Sequence, residues 1–303
     1  MNRSLFFLLT LFFFLSFTVF AEDDYEDDYY SFISGLFEFS KNEIYVSQSL
    51  VRDQKAYKVA LLMGQENQVV KSFVDNFVNY YGKNDCDVIG IKDIRKYDLM
   101  KYDVVISIAS EGANLSKENF NRKALNIWCL VLSPEVIGVP SGVVVFYPYP
   151  DFLLVFKDIK NRYPNKNNVG IIYNLGGYSV KYAVEVGKKE GLNIYPINVN
   201  NYNVDKIEES LNKFDAIFLL PDVFVLDEDN LLKLIYYCKR KDKLLISTQK
   251  ILLNYGVDII YALDYGNLAF EIIDFIKNYG LKKIKYENVF PEKFVIIEKN
   301  YQR

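Results

Sequence analysis

The sequence predicts an α/β protein built as two doubly wound parallel-sheet lobes joined by a hinge. Three observations predict it. Short apolar runs alternate with amphipathic helical segments along most of the chain, the pattern of parallel strands with covering helices. The runs are nearly continuous in Val, Ile and Leu, as strands buried on both faces must be. The alternation occurs twice and is broken once, at Tyr147-Pro148-Tyr149-Pro150. There each proline fixes its own backbone angle and biases its predecessor toward extended structure.

The amino-terminal stretch reads as an address. Arg3 gives a positive start, Leu5–Phe20 is an almost unbroken apolar run, and Val19-Phe20-Ala21 offers small residues before the acidic Glu22-Asp23-Asp24. Residues 1–21 are therefore expected to be a secretory signal peptide, with an uncleaved anchor as the competing reading. Residues 22–54 are expected to be an extension. Glu22–Asp28 is too charged to enter a core, and Phe32, Ile33, Leu36, Phe37 and Phe39 approximate a helical face.

The first lobe is assigned to 55–150. Its strands are expected at Lys58–Met63, Asp87–Ile91, Asp103–Ile108, Ile127–Leu132 and Gly142–Phe146. A helix with Val69, Val70, Phe73, Val74, Phe77 and Val78 facing inward follows the turn Gly64-Gln65-Glu66-Asn67. Asp151 can cap the helix Phe152–Tyr163, which opens the second lobe, assigned to 151–280. Its strands are expected at Val169–Tyr173, Leu192–Val199, Ala216–Leu220, Leu244–Ile246 and Ile259–Leu263, with Leu268–Tyr279 as the last helix. Phe294–Ile297 reads as a closing strand returning to the first lobe, within 281–303.

Composition excludes several functions. The formal charge is −3, and no segment supplies the positive surface that nucleic acid requires. Histidine is absent, which removes the usual general base near neutral pH and excludes Ser–His or Cys–His nucleophiles. Cys86, Cys129 and Cys238 form no CxxC pair, so zinc is not expected. No GxGxxG or GxxxxGK[ST] loop is present, and no cofactor and no catalytic residues are expected. The 25 Tyr and 23 Phe residues do not by themselves mark an aromatic ligand site.

In open parallel sheets, ligands bind beyond the carboxyl ends of the strands. The polar residues there are Gln65, Ser110, Glu111 and Ser133 in the first lobe, and Asn174, Ser179, Asp222, Thr248 and Asp264 in the second. Ser179 fits either a helix N-cap or a site for a ligand carboxylate at a helix start. Asp222 and Asp264 fit either caps or partners of a ligand cation, because a carboxylate left unpaired in a closed cleft is costly.

The second lobe resembles the ABC-transporter substrate-binding protein family that includes exported binding proteins for tryptophan and other aromatic amino acids. The resemblance lies in Val169–Asn174 with Ser179, Leu220-Pro221-Asp222, Ile246-Ser247-Thr248 leading to Asn254-Tyr255-Gly256, and Asp264-Tyr265-Gly266. The first lobe departs from the family, with Ser110-Glu111-Gly112 in place of a glycine–threonine turn and Ser133-Pro134 in place of Asp-Pro. The resemblance implies a periplasmic-binding-protein type I fold and a non-enzymatic role. It also implies a membrane permease and ATPase of an ABC importer as partners of a clamp that closes on a small ligand. The carboxylates at the strand ends favour an amine-bearing ligand, an amino acid first. A periplasmic ligand sensor, or a ligand-free interaction module of the same fold, is the alternative.

Overall fold

The computed structural model describes residues 57–64, 67–174, 177–199, 204–221, 227–280 and 287–299. The expected signal segment 1–21 and extension 22–54 lie outside the described residues, as do Gln65 and Asp222.

Two separate sheets form. The first contains β1 (Val59–Met63), β2 (Cys86–Gly90), β3 (Val104–Ile108), β4 (Leu125–Cys129) and β5 (Val143–Phe146), in the order β5-β4-β3-β1-β2. The second contains β6 (Asn168–Tyr173), β7 (Asn193–Asn198), β8 (Ala216–Leu219), β9 (Leu244–Ser247) and β10 (Ile259–Leu263), in the order β10-β9-β8-β6-β7. All of these strands pair parallel. Each sheet then gains one late strand. β11 (Glu287–Val289) joins β5 in parallel, and β12 (Phe294–Glu298) joins β10 antiparallel.

The strand runs are apolar throughout because both faces are covered. In β1, Val59 and Leu61 enter one core while Ala60 and Leu62 enter another, and all four are fully buried. Helix α1 (Gln68–Tyr81) starts where Asn67 Oδ1 accepts the Val70 N–H at 2.9 Å. Its stripe of Val70, Phe73, Val74 and Phe77 is buried, and each of these side chains contributes about 1.5–3 kcal/mol. The helices α2 (Ala109–Glu118), α3 (Pro134–Ile137), α4 (Phe152–Arg162), α5 (Gly177–Lys189), α6 (Val204–Ser210), α7 (Glu228–Arg240), α8 (Leu252–Tyr255) and α9 (Tyr265–Tyr279) follow in order. As expected from the sequence, Asp151 caps α4, accepting the Leu153 N–H at 2.8 Å. Cys129 and Cys238 are wholly buried. Burial pushes the Cys238 thiol up to about 12, consistent with an inert core role.

Two expectations about lobe membership are corrected. Helix α9 falls within 151–280, yet it packs on α1 against the first sheet. Leu268, Ile272 and Ile276 share a core with Val59, Phe77 and Phe146, and Phe275 meets Phe146 edge-on at 5.5 Å. The apolar stripe of α9 covers a face of the first sheet, so the chain returns to that lobe at Asp264. From the stretch 281–303, Glu287–Val289 does return to the first sheet, whereas the closing strand Phe294–Glu298 pairs with β10 of the second. The short crossing before it delivers Phe294 opposite Leu263, the last residue of β10. A strand entering at that end can only run back along its neighbour.

Three crossings thus join the lobes: Tyr147–Asp151, Asp264, and Phe290–Lys293. Each leaves the carboxyl end of a strand in one sheet and enters the other lobe at the same end. The carboxyl ends of both sheets therefore face the same crossing region. The first and third crossings are zipped together: Tyr147 N–H donates to Val289 O at 2.9 Å and Asp151 N–H to Pro291 O at 2.8 Å. The Phe290 ring lies between Tyr147 and Tyr182, with ring centroids 4.5 Å apart on either side and planes within 8° and 12°. One continuous core runs from Trp128 and Val145 through Tyr147, Phe290 and Phe152 to Val169, Phe218 and Ile246.

Candidate functional site

The site is built from the strand ends that meet at the crossings. On the first lobe, β3 passes into α2 without a loop. Ala109 makes the turn in the left-handed region, at φ 59°, a conformation that costs a residue with a Cβ about 1–2 kcal/mol. Leu130, just after β4, does the same at φ 57°. Gly112 then lets α2 settle onto β1, since a Cβ there would lie 2.5 Å from Leu62 O.

Ser110 and Glu111 stand in the first turn of α2. Glu111 folds over the end of β1, where any side chain at Gly64 would overlap its carboxylate. Ser133 precedes α3 at the end of β4. These residues do gather at the carboxyl edge of the first sheet.

On the second lobe, Asn174 directly follows β6, and its carbonyl accepts Asn198 Nδ2 at 3.4 Å. Ser179 is not an N-cap. It sits inside the first turn of α5 with none of its surface exposed, because the helix already begins at Gly177. Thr248, one residue past β9, is 6% exposed, and its buried Oγ1 has no hydrogen bond among the described residues. The hydroxyl beside it behaves differently: Ser247 Oγ donates to Leu219 O at 3.0 Å.

Of the two roles open to Asp264, the structure shows the cap. Its Oδ1 accepts the N–H groups of Gly266 and Asn267 at 3.0 and 3.1 Å, and its Oδ2 accepts Asn267 Nδ2 at 2.7 Å. Both oxygens are occupied by its own helix.

The sequence reading missed three side chains. Tyr147, fully buried on the first crossing, donates its hydroxyl to Glu135 Oε1 at 2.8 Å. Tyr178, in the first turn of α5, is 40% exposed, and its ring lies 6.1 Å from that of Tyr147 with the planes 19° apart. Glu135 and Tyr147 are twelve residues apart on different strand ends, so no spacing rule links them. The only sequence signal for Tyr178 was its place after two glycines at a helix start.

Among the described residues, two surface concavities lie elsewhere. The larger, about 350 Å³, runs between α4 and the third crossing, beside Lys157, Asp158, Glu292 and Lys293. None of the residues singled out from the sequence lines it. No group of His, Cys, Asp and Glu among the described residues could hold a metal ion.

Two lobes of 2-1-3-4-5 strand order, crossed three times at their carboxyl ends, match solved structures. A ligand-free, open substrate-binding protein with adhesive properties from Clostridium difficile superposes with a TM-score of 0.55 at 13% identity, covering 80% of this chain and 92% of that one. The ABC domain in complex with L-Trp from Streptococcus pneumoniae gives 0.51 at 15% identity, with the same coverage. A glucose-galactose binding protein from Geobacillus stearothermophilus gives 0.50 at 13%, covering 81% and 98%. The chain has the periplasmic-binding-protein type I fold. These neighbours of the fold are binding and transport proteins, and at such identities the likeness establishes the fold alone. No protein-family model matches the chain, and no curated protein matches it in sequence.

In a type I fold the rim at the crossings is where a ligand meets both lobes. The described rim offers hydroxyls, amides, one tethered carboxylate and an exposed aromatic ring. Such a set can hold and orient a small polar molecule.

Proposed function

We propose that this protein is an exported, periplasmic solute-binding protein. It serves an ABC importer by clamping a small ligand between its lobes and presenting the closed form to a membrane permease and its ATPase. The ligand class is an amino acid or another amine-bearing solute. The protein acts by binding and release, not by catalysis. The observation that carries this reading is the convergence of both sheets' carboxyl ends on three crossings, with a buried, unbonded hydroxyl at Thr248 on that rim.

A buried hydroxyl without a partner costs about 1–3 kcal/mol. A ligand acceptor that reaches Thr248 on closure recovers that cost only in the bound state, which is the differential contact a clamp needs. Driving a two-state clamp from mostly open to mostly closed takes about 5.5 kcal/mol. Micromolar binding supplies about 8 kcal/mol, so a few hydrogen bonds and one ion pair suffice.

The test is native mass spectrometry of the exported protein, followed by thermal-shift screening against amino acids, small amines and sugars. The expected result is a retained small molecule, or a panel member that raises Tm. A protein that carries nothing and responds to no member of the panel would remove the solute-binding reading.

A further inference from the structure

We infer that Glu135, Tyr147 and Tyr178 form an ammonium subsite at the hinge end of the cleft. This inference rests on the solute-binding reading above and replaces Asp264 as the cation partner.

The argument starts from the carboxylates. Glu111 is folded over Gly64, and Asp264 is occupied by its own helix. Glu135 differs from both. It lies on α3, just past the end of β4, and is exposed. One of its oxygens accepts the hydroxyl of a wholly buried tyrosine. An exposed glutamate is ordinarily free to wander, and Tyr147 fixes this one from beneath. Among the described residues its Oε2 has no hydrogen bond, and no cation forms an ion pair with it. Lys117 reaches the same short helix but is committed to the Ile137 carbonyl.

The opposite lobe supplies the second element. Tyr178 lies nearly parallel to Tyr147, and the residue remains 40% exposed although its ring borders the buried cluster around Phe290. An exposed aromatic face and an orientated carboxylate therefore flank one buried ring, and they come from different lobes. An ammonium group suits that pair. It can donate to Glu135 Oε2 and lie against the Tyr178 face, which attracts cations through the ring quadrupole. A neutral sugar leaves the carboxylate uncompensated, and an anion is repelled. Because the two groups belong to different lobes, a cation between them also draws the lobes together.

The experiment uses the full chain, with the twenty L-amino acids, choline and putrescine as cationic probes and glucose, galactose and ribose as neutral ones. Thermal shift finds the responders, and isothermal titration measures them. At least one ammonium compound is expected to bind. Glu135→Gln is expected to weaken it tenfold or more, and Tyr178→Ala several-fold, while Tyr178→Phe stays within about twofold. In Glu135→Gln the side-chain amide still offers an acceptor to the Tyr147 hydroxyl, so the unliganded Tm of that variant is expected to stay near wild type. This separates lost binding from lost folding. Unchanged affinity of an ammonium ligand in Glu135→Gln overturns the subsite. Binding of sugars alone overturns it too, but leaves the solute-binding reading intact. Silence of the whole panel counts against both.

Discussion

The two sheets share one strand order but finish their carboxyl ends differently. The first rim is closed on itself: Ala109 and Leu130 take strained left-handed turns, Glu111 is folded over Gly64, and Glu135 is tied down by Tyr147. The second rim keeps loose ends. Thr248 carries a buried hydroxyl with no hydrogen bond among the described residues, and Tyr178 is 40% exposed. One lobe is thus a preorganised platform, and the other brings groups that gain contacts only when something sits between them. Between the lobes, the first and third crossings are locked by stacked rings and two short backbone hydrogen bonds. The second crossing touches the third through one long bond, Asp264 N–H to Lys293 O at 3.5 Å.

The largest expected effect tests the locked crossings. Phe290→Ala removes the ring sandwiched by Tyr147 and Tyr182, and Phe290 is only 8% exposed. A loss of about 3–5 kcal/mol is expected, measured by urea unfolding. A loss below about 1 kcal/mol would mean that the stack does not tie the lobes.

Gly112→Ala tests the closed first rim. Alanine gains up to about 1 kcal/mol of helix propensity. Its Cβ, however, meets the Leu62 carbonyl, a backbone atom held in the sheet, and overpacking costs about 1–3 kcal/mol. A net loss of about 1–2 kcal/mol is expected, and a stabilised variant would show that α2 can ride up freely.

Asp215 tests the base of the second sheet, far from the rim. Burial acts to raise its pKa, but the N–H groups of Asn168 and Asn167 and the Asn168 side chain outweigh it and hold the carboxyl below the usual range. The folded pKa is depressed, so this stabilisation is fully present above the unfolded pKa of about 3.9. It is lost as pH falls through the folded value. Asp215→Asn is expected to cost about 1–2 kcal/mol at pH 7 and to flatten the acid limb of stability against pH. An unchanged limb would show that these bonds do not depend on charge.

The smallest effect is the sharpest for the comparison. Thr248→Val removes the unbonded hydroxyl and is expected to raise the stability of the empty protein by about 1 kcal/mol while weakening ligand. The opposite sign for the empty protein would mean that Thr248 is satisfied within its own lobe.

Much of the fold was legible because burial leaves a strong trace. The apolar runs at Val59–Met63, Val104–Ile108, Ala216–Leu219 and Ile259–Leu263 appear as strands where their composition put them. Lobe membership was less legible. The apolar stripe of Tyr265–Tyr279 declares a helix with one buried face but not which sheet it covers, and Phe294–Glu298 declares a strand but not its neighbour. At the site, Asp-Tyr-Gly before a helix fits a cap and a ligand contact equally well. The Asn267 side chain, three residues on, decides for the cap. The Glu135–Tyr147 bond depends on how two strand ends are brought together, which no local pattern encodes.

The edge strands β11 and β12 have a consequence for how the sheets are completed. Each sheet is capped by a strand drawn from the stretch 287–298, so β5 and β10 present bare hydrogen-bonding edges until that stretch has been made. Neither lobe completes its sheet without that segment. One short segment thus completes both sheets, and its removal would bare two edges at once.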